Sequence, residues 1–117
     1  MEIESFDQLD AWKKGHLLVL RVYHLTATFP AEDKFGLVDG MRRTALAIPV
    51  QVAEGFNRGD PENKLHFYKA ARSAVEELRY YFILCADLGF KGVETLHLEK
   101  CDEVADMLRE LIQVAES

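Results

Sequence analysis

From Pro61 to Leu88 the chain passes 28 residues without a glycine or a second proline, and Gly89 closes the run. Phe67, Ala71, Ala74, Leu78, Tyr81, Cys85 and Leu88 recur in it at the three-four spacing of one helix face. Tyr68, Val75 and Phe82, seven apart, form a second stripe about 100° round the same helix. Such a stretch predicts a rod of roughly 42 Å. A helix that is apolar on more than one face buries more than one face. It therefore either sits centrally among its neighbours or is covered by another subunit, and the second stripe is assigned here to a subunit interface. Asp60-Pro61-Glu62 gives the rod its start: an N-cap carboxylate, a proline where no N–H is needed, and an acid at the positive end of the dipole.

A rod of that length needs neighbours of similar length, and the sequence offers three. One is predicted from about Asp7 to Thr28, with Ser5 and Gln8 spaced as a capping box and Leu9, Trp12, His16, Val19, Tyr23 and Thr26 as its apolar stripe, widened by Leu18, Leu20, Leu25 and Ala27. Another runs from about Phe35 to Asn57 on Val38, Met41, Ala45, Ile48, Val52 and Gly55. Pro49 predicts a kink within it; two shorter helices are the alternative. Gly59 reads as a left-handed cap after it. The last runs from about Val93 to Glu116 on Cys101, Val104, Leu108, Leu111 and Ala115. Seven glycines and three prolines in 117 residues are too few for an all-β sandwich or barrel. Short connections between long rods predict an all-α, antiparallel up-down-up-down four-helix bundle occupying residues 1–117 as a single domain.

Charge narrows the function. Fourteen basic and twenty acidic residues leave a net −6, the opposite of a dedicated nucleic-acid binder. Residues 92–117 hold two basic and seven acidic side chains, so the acid is concentrated there and one basic face remains open elsewhere. Cys85 and Cys101 fall on apolar stripes and read as buried thiols in a reducing, cytoplasmic setting. No apolar run is long enough for a membrane span. A bundle di-iron centre needs paired ExxH motifs, whereas only Glu94–His97 has that spacing. His16, His24, His66 and His97 share no ligand spacing, and His16 is expected neutral in the core. No catalytic residue, metal site or cofactor is assigned, and no enzyme activity is expected.

Two polar sets remain. Arg43 and Glu54 lie three turns apart, Glu54 and Arg58 are spaced i,i+4, and Glu77 flanks the main stripe of the long helix. These four are read as a structural polar network, either solvated surface charge or a buried set with an Arg43–Glu77 pair that fixes subunit register. Arg42, Arg58, Lys64, Lys69, Arg72 and Arg79 are the candidate nucleic-acid face, interleaved with Tyr68 and Tyr80.

Leu37-Val38-Asp39-Gly40-Met41-Arg42-Arg43-Thr44-Ala45, then Ile48-Pro49, Val52-Ala53-Glu54-Gly55 and Arg58, resembles the four-helix-bundle proteins encoded in 23S rRNA intervening sequences. The related accessory proteins of diversity-generating retroelements share the pattern. Phe67, Ala71, Ser73, Glu77, Leu78 and Leu88-Gly89-Phe90 continue it, and Trp12 through Tyr23 with Phe29-Pro30 fit its opening. The resemblance implies an up-down bundle assembled as a homopentameric ring with a central channel and no known catalytic activity. It also implies recurrent polar positions at Arg43, Glu54, Arg58 and Glu77. Retroelement members bind nucleic acid and a reverse transcriptase. The expectation is a non-enzymatic scaffold whose partners are its own copies and RNA, DNA or a nucleic-acid enzyme such as a reverse transcriptase. The alternative is a protein-only interaction module whose acidic fourth helix faces a basic partner.

Overall fold

A computed structural model describes residues 2–117, and every regular element among them is helical. The helices are α1 (Asp10–Thr26), α2 (Asp39–Phe56), α3 (Pro61–Asp87) and α4 (Thr95–Glu116). α1 packs on α2 and α4, and α3 packs on α2 and α4, so the four close a cycle around one core. The molecule measures 44 × 24 × 22 Å, its long axis close to the roughly 40 Å that the 27 residues of α3 require.

The ends of the helices follow local chemistry. Gln8 Oε1 accepts from the Ser5 and Glu4 amides at 3.1 and 2.7 Å. That box caps only a short turn, Phe6–Gln8, because Leu9 is extended and α1 starts after it. Asp60 accepts from the Asn63 amide at 3.3 Å and from its Nδ2 at 2.8 Å, with Pro61 in the first turn as expected. α2 is preceded by one π-helical turn, Lys34–Val38, and runs unbroken through Pro49, so it is one helix rather than two. Gly59 is not its left-handed cap: among the described residues only Gly89 and Gly92 have positive φ, +83° and +90°. The last α2 carbonyls are met by backbone and side chain together: the Arg58 amide donates to Gly55 O at 3.2 Å, and Lys64 Nζ donates to Gly55 O at 3.2 Å and Phe56 O at 2.8 Å.

The core is built from Leu18 and Val22 of α1, Met41, Ile48 and Val52 of α2, Leu78 and Phe82 of α3, and Val104 and Leu108 of α4. Two close approaches set its shape. A Cβ on Gly15 would lie 3.0 Å from Ile48 Cγ2, so glycine lets α1 settle against α2 at Pro49. A Cβ on Gly55 would lie 2.6 Å from Tyr68 Cε1, so the absent side chain is the slot that receives the tyrosine ring.

Candidate interaction surfaces

Tyr68, Val75 and Phe82 do not face another copy. Their exposures are 4%, 0% and 1% within the single chain. This corrects the interface assignment, and the reason is geometric. α3 packs on both α2 and α4, and together they cover the second stripe: Tyr68 fills the slot at Gly55 of α2, and Phe82 reaches α4. Phe82 packs on the buried His97 ring, centroids 4.8 Å apart. His97 is a capping residue, its Nδ1 accepting from the Glu94 amide at 3.0 Å. The Glu94–His97 spacing thus starts α4.

The four polar residues do not gather into a buried network. Arg58 donates to Glu54 Oε2 at 2.6 Å on the surface, with the guanidinium 4.8 Å from the Phe67 ring centre. Arg43 and Glu77 are exposed and make no ion pair with each other. The predicted interhelical pair is therefore corrected: both charges are left in water, where an exposed pair would add little to stability.

The basic set is mostly engaged in holding the bundle. Arg42 Nε donates to Thr26 Oγ1 at 2.9 Å, and its guanidinium stands 4.4 Å over Tyr23. Lys64 caps α2, Arg58 meets Glu54, and Arg79 Nε meets Asp102 at 2.9 Å. The Asp102 contact holds the Arg79 pKa above its usual value. Lys69 and Arg72 are exposed and have no ion-pair partner among the described residues.

Exposed large apolar side chains occur on all four helices, and four of them sit on two adjacent ones. Leu20 and Tyr23 on α1, and Leu46 and Val50 on α2, are accessible, Val50 at 54%. Three- and four-residue spacings put each pair on one helix face. Contacts between Tyr23 and Arg42 and between Gly15 and Pro49 join the two helices. The sequence reading missed this face because it placed Tyr23 and His16 in the α1 core. His16 is exposed, stacked on Trp12 with centroids 5.2 Å apart; Val19 and Thr26 of the predicted stripe are buried, and with them Ala11, Gly15, Leu18, Val22 and Leu25. The signal was in the sequence: these five repeat at strict four-three spacing.

Both cysteines are free and buried, and burial pushes the Cys85 thiol up to about 11 and Cys101 up to about 12. Among the described residues no cluster of three His, Cys, Asp or Glu side chains could hold a metal, and no helix is long and apolar enough to cross a membrane.

The fold and its surfaces define a small helical-bundle protein whose distinguishing features are outward faces. A family model described as 23S rRNA-intervening sequence protein matches residues 7–110, and the chain belongs to that family. No curated protein matches it.

Proposed function

We propose that this chain is a non-enzymatic, cytoplasmic scaffold that works as an oligomer. In this reading the four helices alternate in direction, up-down-up-down, and the copies close into a ring, five being the number implied by the resemblance. One observation carries the reading: the accessible Leu20, Tyr23, Leu46 and Val50 on adjacent helices. Large apolar side chains concentrated on one face of a small protein mark an interaction surface. Sedimentation equilibrium from about 1 to 100 µM tests it. The expected species is several times heavier than the 13.4 kDa chain; a monomer throughout that range would reject the proposal.

Lys69 and Arg72 favour a second, narrower role, a ring face that engages RNA, DNA or a nucleic-acid enzyme such as a reverse transcriptase. Such binding would weaken steeply with salt. A protein partner is favoured over nucleic acid by the engagement of Arg42, Arg58, Lys64 and Arg79 within the bundle and by the acid on α4. Co-purification that survives nuclease treatment is the expected result, and loss of all partners on treatment reverses the preference.

A further inference from the structure

A second surface complements the first. Between the start of α1 and the last three turns of α4 lies a groove of about 540 Å³. Leu9, Met107, Leu111 and Val114 supply its apolar lining. Val114 is 73% exposed, and Met107 and Leu111 are only half-buried. The 107-111-114 spacing is the stripe a neighbouring helix would follow. Asp10, Asp106 and Glu110 line the same groove. Asp10 and Glu110 make no ion pair among the described residues, and Asp106 meets only the exposed Arg109, at 2.9 Å. The groove is therefore an apolar trough with an acidic edge.

The α1–α2 face has the converse character. Leu46 and Val50 form an exposed apolar stripe one turn beyond the exposed Arg43, which has no ion-pair partner among the described residues, and Lys13 and His16 stand on the neighbouring α1 surface. Ridge and trough lie on different sides of the bundle, α1–α2 and α1–α4. When a ridge fits a different patch on the next copy, the contact is head-to-tail.

We infer that the α1–α2 ridge of one copy docks in the α1–α4 groove of the next. This rests on the oligomer reading above and names its two surfaces. The contact sets Leu46 and Val50 against Met107, Leu111 and Val114, with Arg43 toward the Asp10–Glu110 edge. Groove against groove would bring the Asp10, Asp106 and Glu110 edges together, and ridge against ridge would bring Arg43 against its own copy.

Two variants test it. L46D/V50D spoils the ridge, and E110K/V114D spoils the groove; all four positions are solvent-exposed, so far-UV dichroism should stay as in the parent. Each variant alone is expected to sediment as a monomer, its self-association weakened at least about tenfold, which needs about 1.4 kcal/mol. Mixed, they retain one intact ridge and one intact groove and should form a one-to-one pair of about twice the 13.4 kDa monomer mass. If the parent assembles and E110K/V114D assembles equally well, the groove is not the seat and the inference falls while the oligomer reading stands. If both variants are monomers and the mixture remains monomeric, head-to-tail docking is rejected. A parent that is itself a monomer removes both.

Discussion

Replacing Phe82 by alanine separates a core residue from an interface residue. Phe82 is the largest of the fully buried side chains, 1% exposed, and its ring rests against His97 at the start of α4. Truncation removes the ring from a buried site between α3 and α4 and leaves a cavity, which costs roughly 3–5 kcal/mol for Phe→Ala. With about 2.1 cal/mol/K per residue near 60 °C, a chain of 117 residues has an unfolding entropy of about 0.25 kcal/mol/K, so 4 kcal/mol lowers the midpoint by about 16 °C. Phe82→Leu keeps most of the apolar volume, costs about 1.5 kcal/mol and lowers it by about 6 °C. Thermal melts followed by far-UV dichroism at 2 and 50 µM read both. The expected shift is the same at the two concentrations, because the lost contacts lie within one chain. If Phe82→Ala melted within about 2 °C of the parent at low concentration while its oligomer dissociated, the ring would belong to an interface and the packing argument would be wrong.

Other outcomes follow from the same contacts. Gly55→Ala forces a methyl group against the Tyr68 ring and should cost about 1–3 kcal/mol, read as a lower urea midpoint; an unchanged midpoint would mean that the ring moves aside freely. The Asn63 side chain and amide hold the Asp60 pKa below its usual 3.8, and the Lys14 ammonium holds Glu103 below 4.5. Each folded-state value lies under the unfolded one, so the stabilisation is complete above the unfolded pKa and is lost as pH falls through the folded one. The melting midpoint should drop between about pH 5 and pH 3, and Asp60→Asn, which keeps a capping oxygen without titrating there, should flatten part of that drop while preserving the pH 7 midpoint. An acid limb unchanged by Asp60→Asn would remove the capping carboxylate from the explanation. Cys85 and Cys101 should be inert to a disulfide reagent at pH 8 in the folded protein and both react in denaturant; fast reaction of either in the native state would contradict their burial.

How far each helix was legible depended on how unevenly its residues are distributed. In α2 the stripe read from the sequence, Val38 through Gly55, is buried at all six positions, because charged and small residues leave one apolar side and one phase. α1 contains Leu17, Leu18, Val19 and Leu20 in succession, which fit every phase equally. Its orientation was decided by Ala11 and Gly15, the small residues that let α2 approach, and side-chain hydrophobicity ranks those below Trp12 and Tyr23. In α3 both stripes were visible, yet whether a neighbour covers the second depends on the slot at Gly55, a residue on another helix. Periodicity within one segment carries no information about such a fit.

The same distinction explains the polar positions. Lys64 and Arg42 face outward in sequence pattern but are consumed locally, one by the last carbonyls of α2 and the other by Thr26 and Tyr23. A helix terminus or an aromatic face creates a demand for a cation that no helical wheel displays. Arg43 and Glu77 are the converse case. Folding the bundle satisfies no buried group with them, since both are exposed and no ion pair joins them. Removing either charge should therefore leave monomer stability within about 0.5 kcal/mol of the parent. Any larger effect of Arg43→Ala must then be read in association, where the arginine adjoins the Leu46–Val50 ridge, and its size there measures what a neighbouring copy adds to a charge that the isolated chain leaves in water.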